Sequence, residues 1–255
     1  VIRGISFDLF DTLVDQNHDR LAPVEIEGGR RVGATTPALH AVVAEKVSTA
    51  ISLMEFADLL QSVDKELRVE TIDLDIELST LDRFAAVATR LGCKDVLAVA
   101  KALTDVHMGV LHDAVTVPDN HEAILTALSI DYSLALCSNF SHAETARAVM
   151  RDAHLDEWMT SIVISEEIGI RKPRAEIFEA VVESLGFAPN EILHVGDKLR
   201  ADVSGAAAIG MRTCWLTRCV KDPERELERS DGPRPDFALD DLCDLPVLMA
   251  RLNVS

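Results

Sequence analysis

A doubly wound parallel α/β sheet interrupted by an all-helical insert is the fold class this sequence predicts, and three observations predict it. From about Pro118 onward, short apolar runs alternate with amphipathic helical segments, the pattern of a parallel sheet with helices on both faces. Residues 36 to about 112 instead carry helical periodicity and no strand alternation. One apolar run, "VIRGISF", precedes that helical stretch, and a lone strand must pair with the sheet formed downstream. The α/β core is therefore expected over 1–15 and 113–255, with a helical domain inserted over 16–112.

The elements follow in order. "VIRGISF" is short, apolar and ends in polar loop residues, so it predicts a buried strand. Gln16 to Thr36 has little periodicity, and its "EIEGGRRVG" is expected to be a loop or flap. Thr36 followed by Pro37 predicts a helix start, a cap and then Pro at the first helical position. "SLMEFADLLQSVDKELR" opens with a capping box, Ser52 and Glu55. Its apolar residues at 56, 59, 60, 63 and 67 share one helical face. "STLDRFAAVATRLG" stops at Gly92, and "KDVLAVAKALTDVHMGVLHDA" continues the helical pattern. A block of this size predicts a bundle of about three to five helices.

In the second part, "HEAILTALS" predicts a helix and "YSLALCSN" a strand. "SHAETARAVMRDAH" predicts a helix with a capping box at Ser141 and Glu144. "SIVIS" and "EILHVGD" predict strands on either side of "AEIFEAVVESLG", a helix stopped by Gly186. "ADVSGAAAIG" predicts a short helix whose small residues, Gly205 among them, allow close packing. "RTCWLT" predicts another strand, and "KDPERELERSDGPRP" a charged loop.

Composition narrows the function. A net charge of −18 with no obvious basic face argues against nucleic acid and anionic membrane as partners. It leaves room for a small anionic substrate, which feels the local field of its pocket. No apolar run approaches the ~20 residues needed to span a membrane. The first residues lack the pattern of a secretory leader. The 5 cysteines contain no C-x-x-C pair and are expected to be reduced thiols in a cytoplasmic protein; Cys214 and Cys219 are the nearest pair, and only a weak disulfide candidate. The 8 histidines show no metal-ligand spacing.

In open parallel sheets, ligands bind at the carboxyl ends of the strands. Asp8 follows the first predicted strand, and Ser138 and Asn139 end the next. Arg171, Lys172 and Pro173 lie on the loop after "SIVIS". Gly196, Asp197 and then Asp202 follow "ILHV". Carboxylate, hydroxyl, ammonium and carboxylate at successive strand ends suit a divalent cation beside a bound anion.

Four segments, "FDLFDTL", "LCSNF", "GIRKPRAEIF" and "HVGDKLRADVSGAAAIGM", resemble the ordered motifs of the haloacid dehalogenase superfamily, in the subfamily with a helical cap inserted after the first motif. The resemblance implies a Rossmann-like core and a hydrolase mechanism. The family's nucleophilic Asp stands four residues before a Thr, a spacing that Asp8 and Thr12 satisfy and Asp11 does not. Asp8 would form an aspartyl-phosphate that water later hydrolyses. Thr12, Ser138, Asn139 and Lys172 would bind or frame the phosphate, with Lys172 also pairing with Asp8. Mg²⁺ would be held by Asp8, the Phe10 carbonyl and Asp197, with Asp202 nearby or in the next layer. The active site is expected where the cap meets the strand ends, with Arg30 and Arg31 as candidate contacts to an anionic substrate.

One position departs from the motif. The family's phosphatases usually carry, two residues beyond the nucleophile, an Asp that protonates the leaving oxygen and activates water. Here the residue is Phe10, as in the dehalogenase branch, which displaces halide without needing a proton. Asp197 points the other way, because dehalogenases replace that carboxylate with neutral side chains. A carboxylate beside Asp8 with no cation would weaken the nucleophile. The expected function is a Mg²⁺-dependent phosphatase acting on a small phosphorylated metabolite. The alternatives are a 2-haloacid dehalogenase-type C–X hydrolase and a non-catalytic ligand-binding protein. Acid/base help is expected from Asp11, from the metal's water or from the cap.

Overall fold

All four residues of β1 (Gly4–Phe7) are buried in the computed structural model, which describes residues 1–47 and 51–252. Continuous burial is what a central parallel strand covered on both faces requires. The chain divides into two compact units, Val1–Asp15 with Thr116–Ser255, and Gln16–Val115.

After β1 come β2 (Asp15–Gln16), β3 (Val24–Ile26) and β4 (Arg30–Val32). The last two pair antiparallel, Val24 opposite Val32, so "EIEGGRRVG" is a β-hairpin and not the expected loop. Gly28 and Gly29 sit at its tip at φ 81° and 76°, the left-handed region where glycine is unstrained. Three-residue strands carry too little alternation to show in the sequence.

The smaller unit continues with α1 (Thr36–Lys46), α2 (Leu53–Glu70), α3 (Thr80–Arg90) and α4 (Val96–Asp113). Thr35, one residue before the expected Thr36, occupies the cap position of α1. The Ser52–Glu55 capping box at α2 forms as expected. Phe56, Leu60 and Val63 of α2 are buried with Phe84, Val87, Val99 and Leu103, and Leu59 and Leu67 pack against that cluster. Gly92 ends α3 at φ 70°. β5 (Val115–Thr116) pairs with β2.

The larger unit then runs α5 (His121–Ser129), β6 (Ser133–Ser138), α6 (Ala143–Asp152), β7 (Met159–Ile164), α7 (Ser165–Ile168) and α8 (Ala175–Leu185). It finishes with β8 (Ile192–Gly196), α9 (Gly205–Ala208), β9 (Arg212–Leu216), α10 (Pro223–Arg229), β10 (Phe237–Leu239) and α11 (Leu245–Leu252). The expected Ser141 lies one residue before the cap position of α6. The helix starts after His142, which makes no side-chain cap bond, and the Ala143 N–H donates to the Glu166 carboxylate instead. The expected charged loop contains α10, because Asp222 caps the Arg225 N–H and Pro223 opens the helix.

The sheet order is β10-β9-β8-β1-β6-β7, and every pairing is parallel. From β1 the chain winds outward through β6 and β7, then returns to build β8, β9 and β10 on the other side. That reversal puts a topological switch point beside β1, where doubly wound sheets bind ligands. Phe7 lies in register with Leu136 on one side and Val195 on the other, so β1, β6 and β8 end within two residues of one another. Among the described residues, no helix is long and apolar enough to cross a membrane.

Candidate active site

Adjacent strand ends bring four of the sequence-predicted residues to one place. Asp8 follows β1, and its N–H donates to the Val195 carbonyl of β8 at 2.9 Å. Ser138 ends β6, and Asp197 follows β8. Lys172 lies on the loop between α7 and α8, joined to Pro173 by a cis peptide bond.

The Lys172 ammonium is buried, and its three protons have three acceptors. It donates to Asp8 Oδ1 at 2.6 Å, to Asp202 Oδ1 at 2.6 Å and to the Cys137 carbonyl at 2.7 Å. Burial disfavours the ammonium, but Asp202 and Asp8 outweigh it and hold its pKa above the usual lysine value. Lys172 is therefore a permanent cation.

Asn139 fixes the lysine's backbone. Its Oδ1 accepts from the Lys172 N–H at 2.7 Å, and its Nδ2 donates to the Lys172 carbonyl at 3.0 Å. The expected phosphate-framing residue thus works on the loop that carries Lys172.

Asp202 is held from every side. Its Oδ1 receives Lys172 and His194 Nε2 (3.2 Å), and its Oδ2 receives the Lys198 N–H at 2.9 Å. Burial opposes its ionisation, but Lys172 and then His194 keep its pKa well below the usual carboxylate range. It sits in a π-helical turn, Leu199–Ser204, and not at the N-terminus of an α-helix. Gly196 makes room for it, since a Cβ there would lie 2.3 Å from Asp202 Cγ. Gly205 serves packing, as expected, because a Cβ there would collide with the Phe178 ring and the Pro173 backbone.

Sequence reasoning missed His194, whose signal is one polar residue inside the apolar run "ILHVG". Burial lowers its pKa and keeps it neutral, against the pull of the Asp202 bond. Its Nδ1 lies 3.1 Å from Ser6 Oγ. Ionised Asp202 can only accept, so Nε2 carries the proton and the Ser6 hydroxyl donates to Nδ1. The network runs Ser6, His194, Asp202, Lys172, Asp8. Trp215 donates its indole N–H to the Asp197 carbonyl at 2.9 Å.

Asp8 carries the opposite shift. Burial raises its pKa most, Lys172 opposes, and the charges of Asp202 and Asp197 raise it further, to about 6. Burial also raises Asp197, whose Oδ2 meets the Lys198 ammonium. Asp8, Asp197 and Asp202 each present an oxygen, all within 4.8 Å of one another. An all-oxygen carboxylate set is the donor chemistry of a hard divalent cation.

Three buried polar atoms among the predicted site residues have no hydrogen-bond partner: Thr12 Oγ1, Ser138 Oγ and Asp197 Oδ1. Buried polar groups are otherwise nearly always satisfied, so such atoms ask for a ligand.

Phe10 stacks against Phe140, with centroids 4.8 Å apart and planes at 36°. Asp11 adopts φ 60°, its N–H donating to the Val14 carbonyl, and its charge acts on Asp197 and Lys198. In the smaller unit, Arg30 is engaged by Asp58 and Gln61, and Arg31 by the Pro23 carbonyl. All five cysteines are free thiols, so Cys214 and Cys219 form no disulfide.

Known proteins share this fold. The glyceraldehyde 3-phosphate phosphatase of Methanopyrus kandleri is 29% identical over 247 residues, covering 94% of this chain and 94% of that protein. The 2-haloacid dehalogenase of Pseudomonas syringae pv. Tomato superposes with a TM-score of 0.75 at 21% identity, covering 99% of this chain and 100% of that one. The HAD-hydrolase YfnB of Bacillus subtilis, bound to magnesium, superposes with a TM-score of 0.59 at 20% identity, covering 97% and 98%. The family model for haloacid dehalogenase-like hydrolase matches residues 2–210, and the chain belongs to that family of hydrolases.

Proposed function

We propose that this hydrolase is a Mg²⁺-dependent phosphatase of small phosphorylated metabolites, working through an aspartyl-phosphate on Asp8. The observation that carries this reading is the trio of orphaned buried atoms, Thr12 Oγ1, Ser138 Oγ and Asp197 Oδ1, at strand ends that also hold the Asp8–Lys172 pair.

Lys172 holds Asp8 Oδ1, and Asp8 Oδ2 attacks phosphorus. Ser138 and Thr12 bond the phosphoryl oxygens, and Lys172 offsets their charge. Asn139 keeps Lys172 in place, and Asp202 anchors its ammonium from behind. Asp8, Asp197 and the Phe10 carbonyl are the positions that would hold Mg²⁺, with Asp202 beside them. When bound, the cation would neutralise charge between the carboxylates and the phosphate, which would otherwise repel. The orphaned Asp197 Oδ1 and the clustered carboxylates fit it. Free thiols suit a reducing compartment such as the cytoplasm.

Phe10 favours a second reading, C–X hydrolysis of a 2-haloacid, because halide leaves without a proton. A panel of phosphorylated metabolites and 2-haloacids, with and without Mg²⁺, separates the two. Phosphate release lost on chelation supports the first reading. Halide release indifferent to chelator replaces it with the second, and a folded protein active on neither overturns both.

A further inference from the structure

We propose that the site takes phosphate monoesters whose leaving group departs as an anion, aryl phosphates foremost, with the aryl ring seated on the Phe10–Phe140 pair. This rests on the phosphatase reading above.

The buried proton carriers around Asp8 are hydrogen-bonded to one another or to Lys198. Lys172 donates to Asp8, Asp202 and the Cys137 carbonyl. His194 is buried, and its Nε2 proton belongs to Asp202. Asp202 accepts three bonds. Asp197 is engaged by Lys198. Asp11 follows Phe10 directly. Asp11 acts on Asp197, Lys198 and Cys219, which follow β8 and β9. Phe10 reaches across to Phe140, which follows β6.

The β1–β6 side of the phosphate site is therefore flanked by two half-buried aromatic rings at 4.8 Å. Aromatic faces stack on flat apolar groups and cannot deliver a proton. In the first step, Asp8 Oδ2 bonds to phosphorus and the P–O bond to the leaving group breaks, its electron pair staying on that oxygen. An aryloxide bears this charge and collects a proton from solvent afterwards. Phenols ionise at a pKa of about 10, whereas alcohols lie near water at about 15.7. In the second step, water attacks phosphorus, the Asp8–P bond breaks, Asp8 recovers its carboxylate and the water proton passes to solvent.

The test is kcat/KM with Mg²⁺ for a series of ring-substituted phenyl phosphates and for glycerol phosphate, read as phosphate release. A steep rise with leaving-group acidity, and a glycerol phosphate rate on the order of 100-fold or more below the best aryl ester, is expected. Phe10→Asp should flatten the slope and raise glycerol phosphate turnover. Phe10→Leu should keep the slope but raise KM for aryl esters. A flat series on the unmodified protein, with glycerol phosphate as good as the aryl esters, overturns the proposal and leaves the phosphatase reading standing. No phosphate from any ester overturns that reading, and the proposal with it.

Discussion

Asn139 and Lys172 are hydrogen-bonded to each other twice, the carboxamide of one closing on both backbone polar groups of the other. Removing that clamp strands a donor and an acceptor beside the site. Asn139→Ala should cost about 1–3 kcal/mol of stability in denaturant unfolding. It should lower kcat by about 100-fold, because the lysine loses its fixed approach to Asp8. An unchanged kcat would show that the clamp does not position Lys172.

Asp8 is a burden on the fold. Its raised pKa means that the ionised form is disfavoured in the folded protein relative to the unfolded chain. The cost is present above pH 6 and disappears as pH falls through about 6 towards the unfolded value of 3.8. A shift of roughly two units corresponds to about 3 kcal/mol. Asp8→Asn should therefore abolish turnover while raising stability by about 1–3 kcal/mol at neutral pH without divalent cation. A variant that is both inactive and less stable would contradict this account of the carboxylate cluster.

Cation binding should offset the same repulsion. Millimolar Mg²⁺ should raise the melting temperature by a few degrees, and EDTA should reverse it. Asp197→Asn should remain folded and lose the shift. A shift that survives that substitution would place the cation elsewhere.

His107 supplies a separate pH dependence in the smaller unit. Its Nδ1 lies 2.9 Å from Thr35 Oγ1, and its ring meets the Phe84 ring edge-on at 5.5 Å. Burial, aided by Arg83, pushes its pKa down to about 4 from 6.5. The unfolded chain takes up the proton first, so stability is lost as pH falls from 6.5 towards 4 and the loss levels off below that. The full effect is on the order of 3 kcal/mol. Comparing His107→Gln with the unmodified protein at pH 7 and pH 4.5 should show the smaller loss in the variant.

How much of this was legible in the sequence follows from what each residue depends on. The central strands could be read because they are buried on both faces and punctuated by Gly, Asn and Asp. Asp8, Ser138, Lys172 and Asp197 could be picked out because each stands at or after such a run. The β3–β4 hairpin and β10 could not, since three-residue strands show no periodicity. α10 was hidden by its charge, its helix depending on one capping aspartate. His194 was obscure because its role depends on a partner in the next turn, and Phe140 because its partner lies on the loop after another strand.

The network from Ser6 through His194, Asp202 and Lys172 to Asp8 has a further consequence. The Asp8 carboxylate is held by the interior of the sheet, and the aromatic pair belongs to the loops outside it. Foundation and rim can then evolve at different rates. Loop changes at positions such as Phe10 and Phe140 can alter what the site meets without disturbing the charge balance that the network sets at Asp8.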